Sequence, residues 1–254
     1  MHLELNQYTI TSQRLPESFD GYKIAHVSDL HNAEFGESNA KLLELIKEAE
    51  PDIIAITGDV IDSHRTDIDI ALRFAAEAVK IAPCYYVSGN HEGLIDSDEY
   101  ARLVSGFESI GVTVLDNKEE IIELNGEKIS LLGTDVPLIG NEVTAEGLAQ
   151  ISSADCYTIL LCHRPDYFEE FVRAEIDLTL CGHAHGGQFR LPFIGAIYAP
   201  NQGFFPEYDS GLYSQDDSVM VVSRGLGNST INLRFNNRPE LVVIELKTER
   251  RAEN

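Results

Sequence analysis

The sequence predicts an α/β protein in which two packed sheets are flanked by helices, and three observations predict it. Through the first half of the 254 residues, short apolar runs alternate with stretches of helical period. Beyond residue 111 a strong Asn-Gly hairpin signal and further apolar runs announce a second sheet with antiparallel pairing. No linker and no internal repeat breaks the pattern, so the expectation is one domain over residues 1–254.

The elements follow in order. Residues 23–28, 52–57 and 84–88 are short and mostly apolar, of the kind that form sheet-interior strands. Leu42, Leu45, Ile46 and Ala49 make one helical stripe ended by Pro51. Leu72, Ala75, Ala76 and Val79 make a second, opened by Thr66-x-x-Asp69 and closed by Pro83. Tyr100, Leu103, Val104 and Phe107 make a third that stops near Gly111. Strand and helix in that rhythm imply right-handed parallel crossovers. Residues 112–115 form the next strand, and 120–124 joins 128–132 through Asn125-Gly126. A short helix over 145–151 precedes strands at 157–162 and 178–181, and the chain finishes with strands at 219–223 and 241–246.

Composition excludes several classes. With 43% apolar residues the chain is globular and not disordered, and the balance of 19 Lys+Arg against 42 Asp+Glu leaves a net charge of −23. That charge repels a phosphate backbone, so no duplex nucleic acid is expected as a partner. No apolar run approaches the ~18 residues of a membrane span. Met1-His2-Leu3-Glu4 lacks a basic n-region and an apolar h-region, so no transmembrane segment and a cytoplasmic location are expected. Cys84, Cys156, Cys162 and Cys181 lie in or beside apolar runs without zinc-ribbon spacing, and read as buried reduced thiols.

Five polar clusters stand where apolar strands end: Asp29-x-His31, Gly58-Asp59, Gly89-Asn90-His91-Glu92, His163 and Gly182-His183-Ala184-His185. In open α/β sheets that edge delivers side chains to a common crevice. The donors are imidazole nitrogen and carboxylate or amide oxygen without thiolate, a set that suits manganese first and iron or zinc next, over magnesium. Their number exceeds one tetrahedral ion. Two divalent ions ~3.5–4 Å apart sharing a carboxylate would use them, clamp phosphoryl oxygens and make hydroxide at neutral pH. Asp62-Ser63-His64 repeats the Asp-x-His pattern, but His64 ends no strand of its own and is discounted. His26, inside an apolar strand, is read as a satisfied core histidine.

In order, these clusters resemble the five motifs of the calcineurin-like metallophosphoesterases, with Gly58-Asp59 extended through Val60-Ile61-Asp62. The likeness runs from about residue 23 to 190. The continuation Gly186-Gly187-Gln188 through Pro200-Asn201-Gln202-Gly203, with Arg224-Gly225-Leu226-Gly227, looks like the bacterial YkuE/YaeI-type branch. Members of that branch often carry an N-terminal membrane segment, which this sequence lacks; peripheral membrane contact stays open.

The resemblance implies a four-layer α/β/β/α sandwich of two mixed sheets flanked by helices, the metallo-dependent phosphatase fold. It places Asp29, His31 and His185 on the first metal and Asn90, His163 and His183 on the second, with Asp59 bridging. It makes His91 the general acid, with Asp62 orienting its ring. The implied activity is metal-dependent hydrolysis of a phosphodiester or pyrophosphate in a small or lipid-linked molecule, by a metal-bridging hydroxide. A phosphomonoesterase or nucleotidase, a UDP-diacylglucosamine-type pyrophosphatase and a non-enzymatic binding scaffold are the alternatives. Arg190 and Arg224 are candidate phosphate contacts, or equally surface charges. The uncharged, aromatic stretch 191–206 is either a packed loop or a wall for an apolar substrate group or a membrane edge.

Overall fold

The structure, a computed structural model, describes residues 3–135, 142–152, 155–187, 190–191, 195–228 and 234–249. Its strands are β1 (Glu4–Ser12), β2 (Lys23–Val27), β3 (Ile53–Thr57), β4 (Cys84–Val87), β5 (Thr113–Val114), β6 (Lys118–Leu124), β7 (Glu127–Gly133), β8 (Tyr157–Leu161) and β9 (Leu178–Cys181). Four two-residue strands follow: β10 (Arg190–Leu191), β11 (Gly195–Ala196), β12 (Tyr198–Ala199) and β13 (Gly203–Phe204). The last are β14 (Gly211–Gln215), β15 (Ser218–Val222) and β16 (Glu240–Thr248). The helices are α1 (Ala40–Ala49), α2 (Ile68–Ala78), α3 (Ser97–Ile110), α4 (Ala145–Ile151) and α5 (Phe168–Arg173).

The first sheet has the order β1-β16-β2-β3-β4-β5, and β2 to β5 run parallel, joined in turn by α1, α2 and α3. The second has the order β14-β15-β9-β8-β7-β6, parallel from β15 to β7 and antiparallel at both edges. The Asn-Gly signal is realised between β6 and β7: Leu124 faces Glu127, with Asn125 and Gly126 at φ 52° and 85°. Two positive φ values in a two-residue turn match the right-handed twist of the flanking strands.

Strand alternation explains the layers. Ala25, Val27, Ile54, Ile56 and Tyr86 point one way, onto Leu42, Phe74 and Phe107 of the first three helices. Ile24, Ile53, Ala55 and Val87 point the other way and meet Leu131, Ile159, Leu178 and Leu180 of the second sheet. The far face of that sheet, with Leu132, Leu160 and Met220, packs on Leu148 of α4 and Phe168 and Phe171 of α5. Helices, sheet, sheet and helices are the four expected layers. Among the described residues no helix is long and apolar enough to cross a membrane.

Some elements differ from expectation. β1, β14 and α5 are additional. β1 is an edge strand that pairs in parallel with β16, more than 200 residues away, and its half-exposed alternating pattern carries little apolar signal. The cap of α2 is Asp67, whose carboxylate accepts from the N–H groups of Asp69 (3.1 Å) and Ile70 (3.4 Å), not Thr66. The buried face of α2 is Ile68, Ala71, Phe74, Ala75 and Ala78. All four cysteines are free, but Cys156 is half-buried.

Leu131 is fully buried between the sheets. Leu131→Ala should lower unfolding free energy by about 2–5 kcal/mol, read as a shifted urea midpoint at unchanged slope.

Candidate metal centre

β2, β3 and β4 of one sheet and β8 and β9 of the other end at a common edge, and the first polar residues beyond them converge. Asp29, His31, Asp59 and His185 place one ligand atom each within 4.8 Å of one another, as do Asp59, His163 and His183. Asp59 belongs to both groups. Asn90 joins the second, its Oδ1 3.2 Å from His163 Nε2. All seven expected ligands therefore meet.

The donor chemistry fits divalent ions. His163 Nδ1 lies 2.7 Å from the Thr57 carbonyl, to which it donates, so Nε2 is the nitrogen turned to Asp59 Oδ2 at 3.2 Å and the one offered to a cation. His183 Nε2 donates to Asn201 Oδ1 at 3.2 Å, which turns Nδ1 toward His163 Nε2, also at 3.2 Å. His31 Nε2 and His185 Nε2 face each other at the same 3.2 Å. Two nitrogens bound to one ion at about 2.1 Å lie roughly 3–3.4 Å apart, so both pairs have the spacing a shared cation requires.

Burial sets the protonation. It lowers His31 to about 4 and His183 to about 3, and holds His185 well below the ordinary histidine value, so these rings are neutral donors near pH 7. For His163 burial also opposes charge, but Asp59 and Asp29 outweigh it and raise the ring to about 10, so near pH 7 Nε2 holds a proton toward Asp59 that a divalent cation would displace. Burial raises Asp29 to about 6. It would raise Asp59 too, but the neighbouring imidazoles, His163 foremost, keep this carboxylate below its usual range.

The backbone that aims these groups is contorted. Asp29, His31, Asp59, His183 and His185 have φ of 52°, 46°, 50°, 67° and 50°. That left-handed conformation lets alternate residues turn to one point, at a cost of roughly 1 kcal/mol or more per non-glycine residue. Gly89 and Gly182 let the loops close: a Cβ on Gly89 would collide with the Asp59 carboxylate, and one on Gly182 with Ser28 and Asp29. Glu92, almost fully buried, locks the arrangement. Its Oε2 accepts from Gly89 N (2.7 Å) and Asp59 N (2.8 Å), and its Oε1 from Val60 N (2.8 Å) and Ile61 N (3.2 Å).

Other expected residues are placed as follows. The His91 ring is edge-on to His31, with centroids 4.6 Å apart. Its Nδ1 takes the Ser63 N–H at 3.0 Å and the Ser63 hydroxyl at 2.9 Å. Asp62 Oδ1 is 3.8 Å from that nitrogen, beyond hydrogen-bond reach. The Asp62 carboxylate accepts from His64 N (3.0 Å) and from Arg65 (2.9 and 3.2 Å), and the hydrogen bonds to His91 Nδ1 come from Ser63. The discounted His64 lies edge-on to His91 at 6.0 Å, and His26 is buried on Thr57 Oγ1 at 2.7 Å.

Neither candidate phosphate-binding arginine is free. Arg190 pairs with Asp209 at 2.9 Å, and Arg224 with Glu240 (2.7 Å) and Glu4 (3.1 Å). Gln188, and residues 192–194 of the aromatic stretch, lie outside the described residues. Phe204 and Phe205 are 75% and 69% exposed, whereas Asn201, at the turn between β12 and β13, holds His183. Sequence reasoning missed Ser63, Asn201 and the Thr57 carbonyl. Asn201 stands in a quoted motif, but nothing in its spacing shows a contact 18 residues back.

Residues 22–187 match the calcineurin-like phosphoesterase family. The chain is 32% identical over 255 residues to the metallophosphoesterase YkuE of Bacillus subtilis, covering 97% of this chain and 86% of the relative. It is 30% identical over 233 residues to the phosphodiesterase YaeI of Escherichia coli, covering 89% and 82%. The crystal structure of TT1561 from Thermus thermophilus shares the fold, with a TM-score of 0.54, 14% identity and coverage of 81% and 90%.

Glu92→Ala would strand four buried N–H groups. The variant should lose about 3–5 kcal/mol in a denaturant titration and retain less metal than the parent in elemental analysis.

Proposed function

The chain belongs to the calcineurin-like phosphoesterase family, and on that premise we propose that it hydrolyses a phosphodiester or pyrophosphate bond at the edge where the two sheets meet. It is a metal-dependent phosphoric ester hydrolase of that family. In this reading Asp29, His31 and His185 would hold one divalent ion, Asn90, His163 and His183 would hold a second, and Asp59 would serve both. Residues 1–254 act as one such unit. The observation that carries the assignment is the sharing of Asp59 by both ligand groups.

Two bound ions supply a nucleophilic hydroxide at neutral pH and neutralise charge on the phosphoryl oxygens; manganese suits the mixed imidazole and carboxylate set. The protein's own groups do the rest. Thr57 and Asn201 orient the rings of His163 and His183, so the nitrogens offered to a cation face inward. Glu92 keeps the Asp59 loop in place through its backbone donors. Because the Ser63 N–H occupies His91 Nδ1, the proton of the neutral ring resides on Nε2, which can hydrogen-bond a phosphoryl or departing oxygen; transfer of a proton from Nε2 would require the imidazolium, with Nδ1 protonated as well.

That same Ser63 contact favours a second reading of His91. An N–H directed at Nδ1 disfavours the imidazolium, and burial lowers the ring further, outweighing Asp59 and Asp62. A neutral ring would hydrogen-bond a phosphoryl oxygen without transferring its proton. A small phosphoester is the substrate under either reading. A lipid-linked ester and membrane contact are the finer proposals, favoured by the exposure of Phe204 and Phe205.

Chelator-stripped protein should not hydrolyse bis(4-nitrophenyl) phosphate, and added Mn²⁺ should restore turnover. Turnover that is equal with and without metal would overturn the reading. Asp59→Asn should reduce the restored rate by roughly 10²-fold or more. If His91 is an acid, His91→Ala should lose more rate on diesters with poorer leaving groups; an equal loss across the series would select the hydrogen-bonding role.

A further inference from the structure

We propose that the cleft beside His31 binds the organic group of the substrate and that this group is aliphatic, an inference that rests on the phosphoesterase reading above. The cleft has a volume of about 740 Å³, within the roughly 300–1,000 Å³ of small-molecule sites. His31, one of the seven expected ligands, and Asp62 both form part of its wall, so the cleft borders the converging groups on their His31 side.

Five separate segments bring apolar side chains to this wall: Leu3 before β1, Ala33 and Phe35 after β2, Leu45 of α1, Ile70 of α2 and Leu226 after β15. Leu3, Leu45 and Ile70 are only half-buried, which leaves apolar surface facing the cleft. The acidic groups of the wall are already engaged. Arg65 pairs with Asp62 at 2.9 Å, Arg73 faces Glu34 at 3.9 Å, and Asp67 caps α2. Lys41, one turn before Leu45 on α1, makes no ion pair among the described residues and leaves one cation for the anionic ester. Beside His31 Nδ1 and Asn32 Oδ1, buried and unpartnered among the described residues, the half-buried Leu3, Leu45 and Ile70 are the part of the wall that a ligand's apolar group can cover. A nucleobase is a poor occupant, since Phe35 is the one phenyl ring on the wall and is only 9% exposed, which offers no open face for stacking. An alkyl chain needs only the aliphatic floor.

The test compares 4-nitrophenyl methyl phosphate, 4-nitrophenyl octyl phosphate and the 4-nitrophenyl ester of thymidine 5′-phosphate on the manganese-loaded protein. The octyl ester should exceed the methyl ester in kcat/KM by about tenfold or more, chiefly through KM; that factor is what burying about two methylenes supplies. The thymidine ester should show no such gain. Leu45→Phe, which fills the cleft, and Ile70→Asn, which makes its floor polar, should each bring the octyl-to-methyl ratio toward one while circular dichroism shows a folded chain. Calorimetric titration with octyl phosphate and methyl phosphate should show the same preference and the same loss.

If the methyl ester is hydrolysed and the octyl ester is no better, the cleft assignment is overturned and the phosphoesterase reading stands. A preference for the thymidine ester, or an octyl preference that survives in both variants, overturns it as well. If no ester is turned over, the phosphoesterase reading falls. The titrations then decide the cleft, equal affinity for the two phosphates overturning it and an octyl preference lost in both variants supporting it.

Discussion

The dry layer between the two sheets is the constraint on which the rest depends. Ile24, Ile53, Ala55 and Val87 from one sheet interlock with Leu131, Ile159, Leu178 and Leu180 from the other. Strands β2, β3 and β4 carry Asp29, His31, Asp59 and Asn90, whereas β8 and β9 carry His163, His183 and His185. Neither sheet alone holds a complete donor set. Close packing at crystal-like density fixes how far one set of strand ends stands from the other, so the position of each donor follows from apolar contacts beneath it.

Above that layer the structure concentrates groups that resist burial. Asp29, Asp59, Asp62 and Glu92 are all nearly inaccessible, together with the imidazoles of His31, His163, His183 and His185. A buried carboxylate is tolerable only when hydrogen-bonded or paired, and here the backbone supplies much of that satisfaction. Glu92 takes four N–H groups, Asp29 takes His183 N, and Asp59 Oδ1 takes His91 N at 2.8 Å. The remaining lone pairs point at one another, and divalent cations are the partners their spacing suits.

Much of this was legible in the sequence, for a physical reason. Strands buried on both faces leave mostly apolar runs, broken only at single positions such as His26, Thr158 and Thr179, and the polar cluster that ends each run stands out. Asp29, Asp59, Asn90, His163 and His183 belong to such clusters. The hairpin at Asn125-Gly126 was legible because its chemistry is local. What stayed hidden depends on distant partners. β1 owes its existence to β16, the ring of His91 takes its hydrogen bonds from Ser63, and Arg190 and Arg224 are claimed by Asp209 and by Glu4 and Glu240. No window of residues carries those pairings, because each side chain is polar and exposed-looking until the fold brings its counterpart.

The left-handed backbone at Asp29, His31, Asp59, His183 and His185 bears on how such a chain changes over evolutionary time. Glycine would relax each of these positions, so the substitutions that remove a donor are also ones that relieve conformational strain. Drift under selection for folding alone would therefore erode this edge first and leave a sturdier, inert scaffold. Of the sixteen non-glycine residues with positive φ among the described residues, five are donors at this one edge, which concentrates strain where folding alone gains nothing from it.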